Sequence, residues 1–507
     1  MSESTQVAII GAGLGGLSAA ISLATQGIRV TVFEQNSTPG GKATVLELDS
    51  KIGKFRFDRG PSFLTMPFVF EELFRSAGVK LNDYIKIKRM EISCLYFWRD
   101  GTQITAWADP DRLANEIAIT TGVNLQVIQK YLDHSRSVYE ASEEFFLKNE
   151  ITWQSFLQLS FVKGIGQITK LNPFQSLHSL NQQIFSNPKA VQIFDRYATY
   201  NCSDPSRVPS TLRSISHLEN DIGVYLPVGG IGDVAKAMYK LAIEKNVEFH
   251  FDTPVTRILV NHKTNKPTVT GLEVGGQELQ FDRVISNLDI NLTYLKLLGD
   301  SQSPFIKKRL KQEYSSSYIV FYWGVKGSYP QLDLHNILFS DNYQAEFDSI
   351  FQDHITPKDP TVYINITSKK IPGDAPAGHE NWFIIITAPN NQTFAPDHWN
   401  MLLAILRPKI IQRINEQLGI DIEGNIIAEK FMTPADIQDW TGSWQGAICG
   451  TSSNSLWSAF NRPKLKAVDY NNLYFCGASV HPGCGMPVVT WSGIQVAKRL
   501  IKELPKN

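Results

Sequence analysis

Val7-Ala8-Ile9-Ile10-Gly11-Ala12-Gly13-Leu14-Gly15-Gly16 is a short β-branched run that passes directly into a glycine turn. A helical pattern from Leu17 to Gln26 follows, and Gly27 closes it. Strand, turn and helix in this order open a dinucleotide-binding unit. Gly11 permits the tight turn, Gly13 lets bare backbone approach a pyrophosphate, and Gly16 lets the helix pack on the strand while its first amides face the anion. Arg29 to Phe33 reads as the second strand and delivers Glu34, 18 residues after Gly16, where an acid accepts both hydroxyls of a ribose. A G-x-G-x-x-G string alone is a weak signal that also fits a surface turn binding nothing. The strand before it, the helix after it and the acid beyond it favour a dinucleotide. That acid repels a 2′-phosphate, which disfavours NADP and leaves FAD or NAD.

Pro39-Gly40-Gly41-Lys42 chooses between those two. It is not a P-loop, because Ala43 follows Lys42 and no glycine stands five residues before Gly41. In two-dinucleotide-binding flavoproteins a glycine pair with a following basic residue lies against the flavin diphosphate, so the pair favours FAD over an ordinary loop. At the far end, Leu473 to Cys476 reads as a strand and Gly477-Ala478 opens a loop through His481 to Pro487, followed by a helix from Trp491 to Leu500. Such a loop brings bare backbone to a ring or ribityl chain, and the helix offers its amide end to negative charge. A third unit lies between: Tyr225 to Gly232, a helix to Glu244, a β pattern from Val247 to Val260, the runs Val269 to Val274 and Leu279 to Ile285, and Asn287. The fold class expected is α/β. Residues 1–85, 224–290 and 441–507 form one discontinuous Rossmann-type FAD domain with a parallel sheet. Residues 86–223 and 291–440 form a mixed α+β substrate domain.

Composition bounds the rest. With 43% hydrophobic and 11% aromatic residues in 507, the chain can bury real cores. Lys+Arg and Asp+Glu both number 49, which removes any global electrostatic case for nucleic acid. Cys94, Cys202, Cys449, Cys476 and Cys484 are odd in number and never spaced C-x-x-C, arguing against a disulfide framework or a zinc site and for a reducing compartment. No metal is expected. The start lacks the basic and apolar regions of a signal peptide, and no run of about 18 apolar residues occurs, so cytoplasmic synthesis with at most peripheral membrane contact is expected.

Taken together these strings resemble the bacterial phytoene desaturase-type carotenoid desaturases, whose relatives include carotene isomerases and retinol saturases. The likeness covers nearly the whole chain. Besides the segments above it rests on Phe57-Asp58-Arg59-Gly60-Pro61-Ser62, Tyr197-Ala198-Thr199-Tyr200-Asn201, Gly223 to Gly230, Asn461-Arg462-Pro463 and, above all, Gly477-Ala478-Ser479-Val480-His481-Pro482-Gly483-Cys484-Gly485-Met486-Pro487. The resemblance implies FAD between the N-terminal turn and the C-terminal loop, with its ring facing a long apolar tunnel for a C40 polyene. It also implies that Val255 meets the adenine through its backbone, and that Arg59, Gly60, Pro61, Ser62, Gly477, Gly485, Met486 and Pro487 adjoin the cofactor. Relatives usually carry Gly where this chain has Cys484, and Gly-Val where it has Val488-Val489, so the tunnel near the flavin differs in shape. Residues Trp440 to Pro463, with Gly446 to Gly450, are more similar to the branch that desaturates the 3,4-bond of hydroxylated carotenoids than to the branch that starts from phytoene.

No G-x-S-x-G, H-E-x-x-H or paired C-x-x-C is present, so hydrolytic and metal chemistry lack their spacing signals. The expected reaction is loss of an allylic hydride to the flavin and of a proton from the adjacent carbon, the protein supplying position and dryness. Few polar residues are then expected at the reaction centre. Asp58, Arg59, Tyr200, Glu219 and His481 are the candidates for taking the proton or steadying the cation; each also has a structural reading as a turn, core or capping residue. From Ile151 to Phe194 there is no acid, while Lys163, Lys170 and Lys189 accompany many apolar residues, so residues 151–194 are expected to meet the inner face of a membrane. Oxygen or a quinone would reoxidise the flavin. Alternatives are a redox-neutral isomerase, a saturase, or a flavin-free prenyl-binding escort of the GDP-dissociation-inhibitor type.

Overall fold

The computed structural model describes residues 5–142, 175–392, 396–455 and 461–504. Its first sheet is five parallel strands in the order Leu473–Phe475, Arg283–Ser286, Gln6–Ile10, Arg29–Phe33, Glu248–His250. Strands from the two ends and the middle of the chain therefore lie side by side, with the apolar, β-branched Gln6–Ile10 at the centre. Its side chains Val7, Ala8 and Ile9 have no solvent exposure, as a strand covered on both faces requires.

The helices Leu14–Ala24 and Met486–Glu503 pack closely beside this sheet. Gly16 is what lets the first helix leave its strand so sharply: a Cβ there would lie 2.1 Å from the Gly11 carbonyl oxygen. Both helices start earlier than the sequence pattern indicated, at Leu14 and Met486, because the glycine loops themselves supply the first turns. The expected continuous β pattern from Val247 to Val260 is two strands, Glu248–His250 and Val255–Asn261, separated by Asp252 at φ 50° and Pro254. Likewise Leu279 to Ile285 divides between Gln277–Gln280, in a three-stranded antiparallel sheet, and Arg283–Ser286 in the parallel one. Alternation alone does not reveal such a change of sheet.

The second large sheet has seven strands, ordered Ile426–Met432, Ser317–Lys326, His379–Ala388, Val362–Asn365, His335–Leu338, Ile92–Phe97, Gln103–Trp107. Its period-2 pattern sorts two faces. Ile319, Phe321, Trp323, Ile384, Ile386, Val362 and Ile364 share a core with Trp399, Leu403, Leu406 and Ile410 of the helix Pro396–Leu418. Tyr318, Val320, Phe383, Ile385, Tyr363 and His335 point the other way and wall a cavity. Of residues 151–194, those from 151 to 174, including Lys163 and Lys170, lie outside the described residues. The remainder forms the helices Leu177–Ile184 and Pro188–Asp195, and the Lys189 ammonium is paired with Asp100 and bonded to Thr102. Among the described residues no helix is long and apolar enough to cross a membrane.

Candidate functional site

A cavity of about 630 Å³ runs between the parallel sheet's helix ends and the inner face of the seven-stranded sheet. At one side it is lined by Gly13, Leu14 and Gly15, by Gly40, Gly41 and Lys42, by Arg59, Gly60, Pro61 and Ser62, and by Asn287. Gly477, Gly485, Met486 and Pro487 complete this side. The N-caps of the two helices here, Gly13 and Gly485, provide no side-chain hydrogen bond, so the amide ends remain available to an anion. Asn287 joins the segments: a Cβ added at Gly13, Gly15 or Gly477 would come within 2.6 to 2.9 Å of its amide. The third such helix, Gly232–Glu244, is different. Its first amides are already taken, because buried Asp58 accepts from Ile231 N at 2.9 Å and Gly232 N at 3.3 Å.

Glu34 is buried at the end of its strand. One carboxylate oxygen accepts from Ala12 N at 2.7 Å and the other from Asn36 N and Nδ2 at 2.9 and 2.7 Å. Thr253 N donates to the Glu34 carbonyl at 2.9 Å, which brings the start of the strand Val255–Asn261, and so Val255, beside it. Gly11, Ala12, Gly16, Glu34 and Val255 form this neighbouring corner and do not line the cavity itself. The Lys42 ammonium, enclosed in the wall, donates to Ile448 O at 3.0 Å. Burial lowers its pKa to about 8 against opposing pulls from Cys202 and Asp289.

The cavity's other side combines the apolar sheet face of Val320, Ile337, Phe383 and Ile385 with a polar cluster. Arg196, on a 3-10 turn Arg196–Asn201, pairs with Glu219 on a π-turn Leu218–Ile222, and Arg196 Nη2 also donates to Tyr96 OH at 2.8 Å. Tyr200 OH donates to the second Glu219 oxygen. Burial and the Glu219 charge push the Tyr200 phenol far up, so it stays protonated. His335 and Tyr363 join this group through a 2.8 Å contact from Nδ1 to OH, and Tyr363 OH lies 2.6 Å from Ser62 Oγ. Sequence reasoning missed Arg196, His335 and Tyr363, which sit in no motif; only their rarity as polar residues in apolar strands or helices pointed to them.

The model for one family, flavin containing amine oxidoreductase, matches residues 14–501. The chain belongs to this family. Its cofactor is FAD. Among curated proteins the flavoprotein is 41% identical over 484 residues to a 1-hydroxycarotenoid 3,4-desaturase from Flavobacterium sp. (strain P99-3), covering 95% of this chain and 96% of that one. It is 34% identical over 510 residues to a 4,4'-diapolycopene oxygenase from Methylomonas sp, covering 99% of each. Among solved structures an oxidoreductase from Methanosarcina mazei superposes with a TM-score of 0.63 at 15% identity, covering 97% of this chain and all of that one, a likeness of fold.

The residues of this flavoprotein fit such a cofactor: two uncapped helix ends, a glycine-lined approach, and a lysine on the same wall could hold a diphosphate, with Glu34 beside the ribose. Of the candidates for proton handling, Arg59, Tyr200 and Glu219 line the cavity, and the Arg59 guanidinium stacks 3.8 Å over Trp440. Asp58 and His481 do not line it. Asp58 holds the helix start and is bonded to Arg56 at 3.0 Å, while His481 is buried with its amide donating to Pro463 O at 2.9 Å.

The expectation about cysteines is corrected. Cys449 and Cys484 form a disulfide with Cα atoms 5.1 Å apart, and Cys202 Sγ lies 3.4 Å from Cys449 Sγ. The bond joins the loop after Trp444–Gly446 to the C-terminal loop, partners 35 residues apart that spacing rules do not pair. It gives a structural role to Cys484, one of the positions at which the chain departs from the family pattern. Cys94, Cys202 and Cys476 are free and buried.

Proposed function

We propose that the chain is an FAD-dependent carotenoid desaturase that introduces the 3,4-double bond into a hydroxylated acyclic or monocyclic C40 polyene. The observation that carries the reading is one cavity shared by the glycine-lined cofactor side and a sheet face of Val320, Ile337, Phe383 and Ile385. Near full-length similarity to a 1-hydroxycarotenoid 3,4-desaturase supports it. When bound, FAD accepts the hydride lost from carbon. The chain's part is to fix the polyene against one face, exclude water, and keep the Arg196–Glu219 ion pair bonded to the neutral Tyr200 hydroxyl beside a developing cation. Peripheral contact with the inner, cytoplasmic face of a membrane and reoxidation by oxygen or a quinone belong to the same proposal.

An anaerobic incubation in liposomes, following flavin bleaching and product mass together, tests it. Bleaching with loss of two hydrogens from the hydroxylated polyene is expected, and the floated liposomes report membrane contact. Product that gains oxygen would favour an oxygenase, unchanged mass an isomerase, and a gain of two hydrogens a saturase. Bleaching by phytoene alone would move the chain to the phytoene branch.

We assign the diphosphate to the two helix ends with Lys42, and the ribose to Glu34. Because the Lys42 pKa is lowered to about 8, its ammonium is lost as pH rises through that value in the FAD-free protein. FAD affinity is expected to fall above about pH 8 in the wild type and to stay level to higher pH in Lys42→Arg, whose guanidinium keeps its charge. Flavin fluorescence titrations at several pH values measure this; identical profiles would remove Lys42 from the diphosphate site.

A further inference from the structure

A hydrocarbon offers nothing for Arg196, Glu219, Tyr200, His335 and Tyr363 to bind, yet all five line the cavity. Three of them bond one another: Glu219 takes Arg196 Nη2 on one oxygen and Tyr200 on the other. His335 does not close its accounts this way. Its Nε2 is buried and without a hydrogen-bond partner, as is Arg196 Nε. A buried polar atom left unpaired costs stability, and such a group in a cavity wall points to a partner that the cavity admits.

The proton on His335 can be placed. Asn365 Nδ2 donates to the Leu334 carbonyl at 3.0 Å, and a carbonyl can only accept, which fixes the orientation of the amide. The same Nδ2 lies 3.1 Å from His335 Nδ1, so Nδ1 is the accepting nitrogen. Burial holds the ring neutral by lowering its pKa to about 3. The single ring proton is therefore on Nε2, at the edge of the imidazole opposite Tyr363 and Asn365. Phe63 packs edge-on to this ring, with centroids 5.3 Å apart, and its other neighbour is Tyr200, at 5.7 Å. Phe63 thus contacts the rings of both His335 and Tyr200 and itself lines the cavity.

We propose that His335 reads the end-group hydroxyl of the substrate: Nε2–H donates to the hydroxyl oxygen when Phe63 turns aside, and the hydroxyl proton is offered to Tyr200. The proposal rests on the desaturase reading and deepens it, since it names the oxygen-bearing end group as what the site selects. In a 1-hydroxylated polyene one methylene separates the carbinol carbon from the bond to be oxidised. Anchoring the hydroxyl therefore fixes which bond reaches the cofactor, and His335 becomes a determinant of both substrate and position.

The test uses the FAD-loaded protein in liposomes with a 1-hydroxylated acyclic polyene and the same polyene lacking the hydroxyl. Equilibrium binding, read by tryptophan quenching, is measured beside kcat/KM. The wild type is expected to prefer the hydroxylated polyene, His335→Leu to lower that ratio by on the order of 10–100-fold, and His335→Gln, which keeps an N–H donor, to restore part of it. FAD content confirms folding of each variant. Should His335→Leu fail to fold, Phe63→Leu supplies the readout, with an expected rise in the ratio as the donor is uncovered. An unchanged ratio in His335→Leu, or in Phe63→Leu where that is the variant read, overturns the assignment. Wild type that binds the hydroxylated polyene selectively but oxidises neither leaves the hydroxyl site standing and removes the desaturase reading. Oxidation of both polyenes without selectivity does the reverse.

Discussion

Gly16→Ala is expected to yield protein that retains little or no FAD, with desaturation lowered by at least about 100-fold. The added Cβ would sit 2.1 Å from the Gly11 carbonyl oxygen, a backbone atom with no rotamer by which to escape. Relief must come from separating the helix Leu14–Ala24 from its strand. That helix is held from the other side by Met486–Glu503, where Ser18 Oγ donates to the Thr490 carbonyl at 2.8 Å. A shift therefore disturbs both uncapped helix ends at once, along with the Ala12 amide that Glu34 accepts. Overpacking of a close interior contact costs about 1–3 kcal/mol and more where backbone must move. The ratio of flavin to protein absorbance after purification, with thermal unfolding beside it, checks the expectation. Full flavin occupancy with an unchanged melting temperature would mean that the glycine turn is not the cofactor's seat.

That prediction can be framed from sequence alone, whereas the one on Arg196 cannot, and the contrast shows what kinds of information a chain carries in order. The strand, turn and helix from Gln6 to Ala24 are local, and their meaning is contained in spacing. The same holds for Glu34 and for the loop ending at Pro487. The polar side of the cavity is assembled from a 3-10 turn, a π-turn and two strands spread between residues 196 and 363, whose adjacency depends on the pairing of the seven-stranded sheet. No periodicity announces that Arg196 will face Glu219. The disulfide was hidden for the same reason, and counting cysteines gave the opposite expectation because it judged spacing along the chain, not distance across it. Asp58 shows a further limit. A motif residue beside a cofactor segment reads as chemistry, yet its carboxylate is spent on two backbone amides and Arg56.

Arg196→Leu is expected to destabilise the protein by about 3–5 kcal/mol, because it leaves the Glu219 carboxylate buried without its counter-charge. The guanidinium is buried, its carbon 4.6 Å from the Tyr197 ring and 5.3 Å from the Tyr96 ring, and a neutral leucine supplies no charge in its place. Tyr200 OH remains the other donor to Glu219 and is too weak to replace a cation. The decisive comparison is with Arg196→Leu/Glu219→Leu. Removing both charges together ends the desolvation penalty, so the double variant should unfold at higher denaturant than the single one, despite carrying one more substitution. Urea unfolding followed by near-UV circular dichroism gives the ranking, and a double variant no more stable than Arg196→Leu would mean that the pair does not bear the electrostatic load assigned to it. Recovery of stability should not bring recovery of selectivity. Without Glu219, Tyr200 loses the acceptor that fixes its hydroxyl, and the phenol oxygen is no longer held toward a substrate hydroxyl. The double variant is therefore expected to be the more stable of the two and still unselective between hydroxylated and unhydroxylated polyenes, which separates what the ion pair does for the fold from what it does for the site.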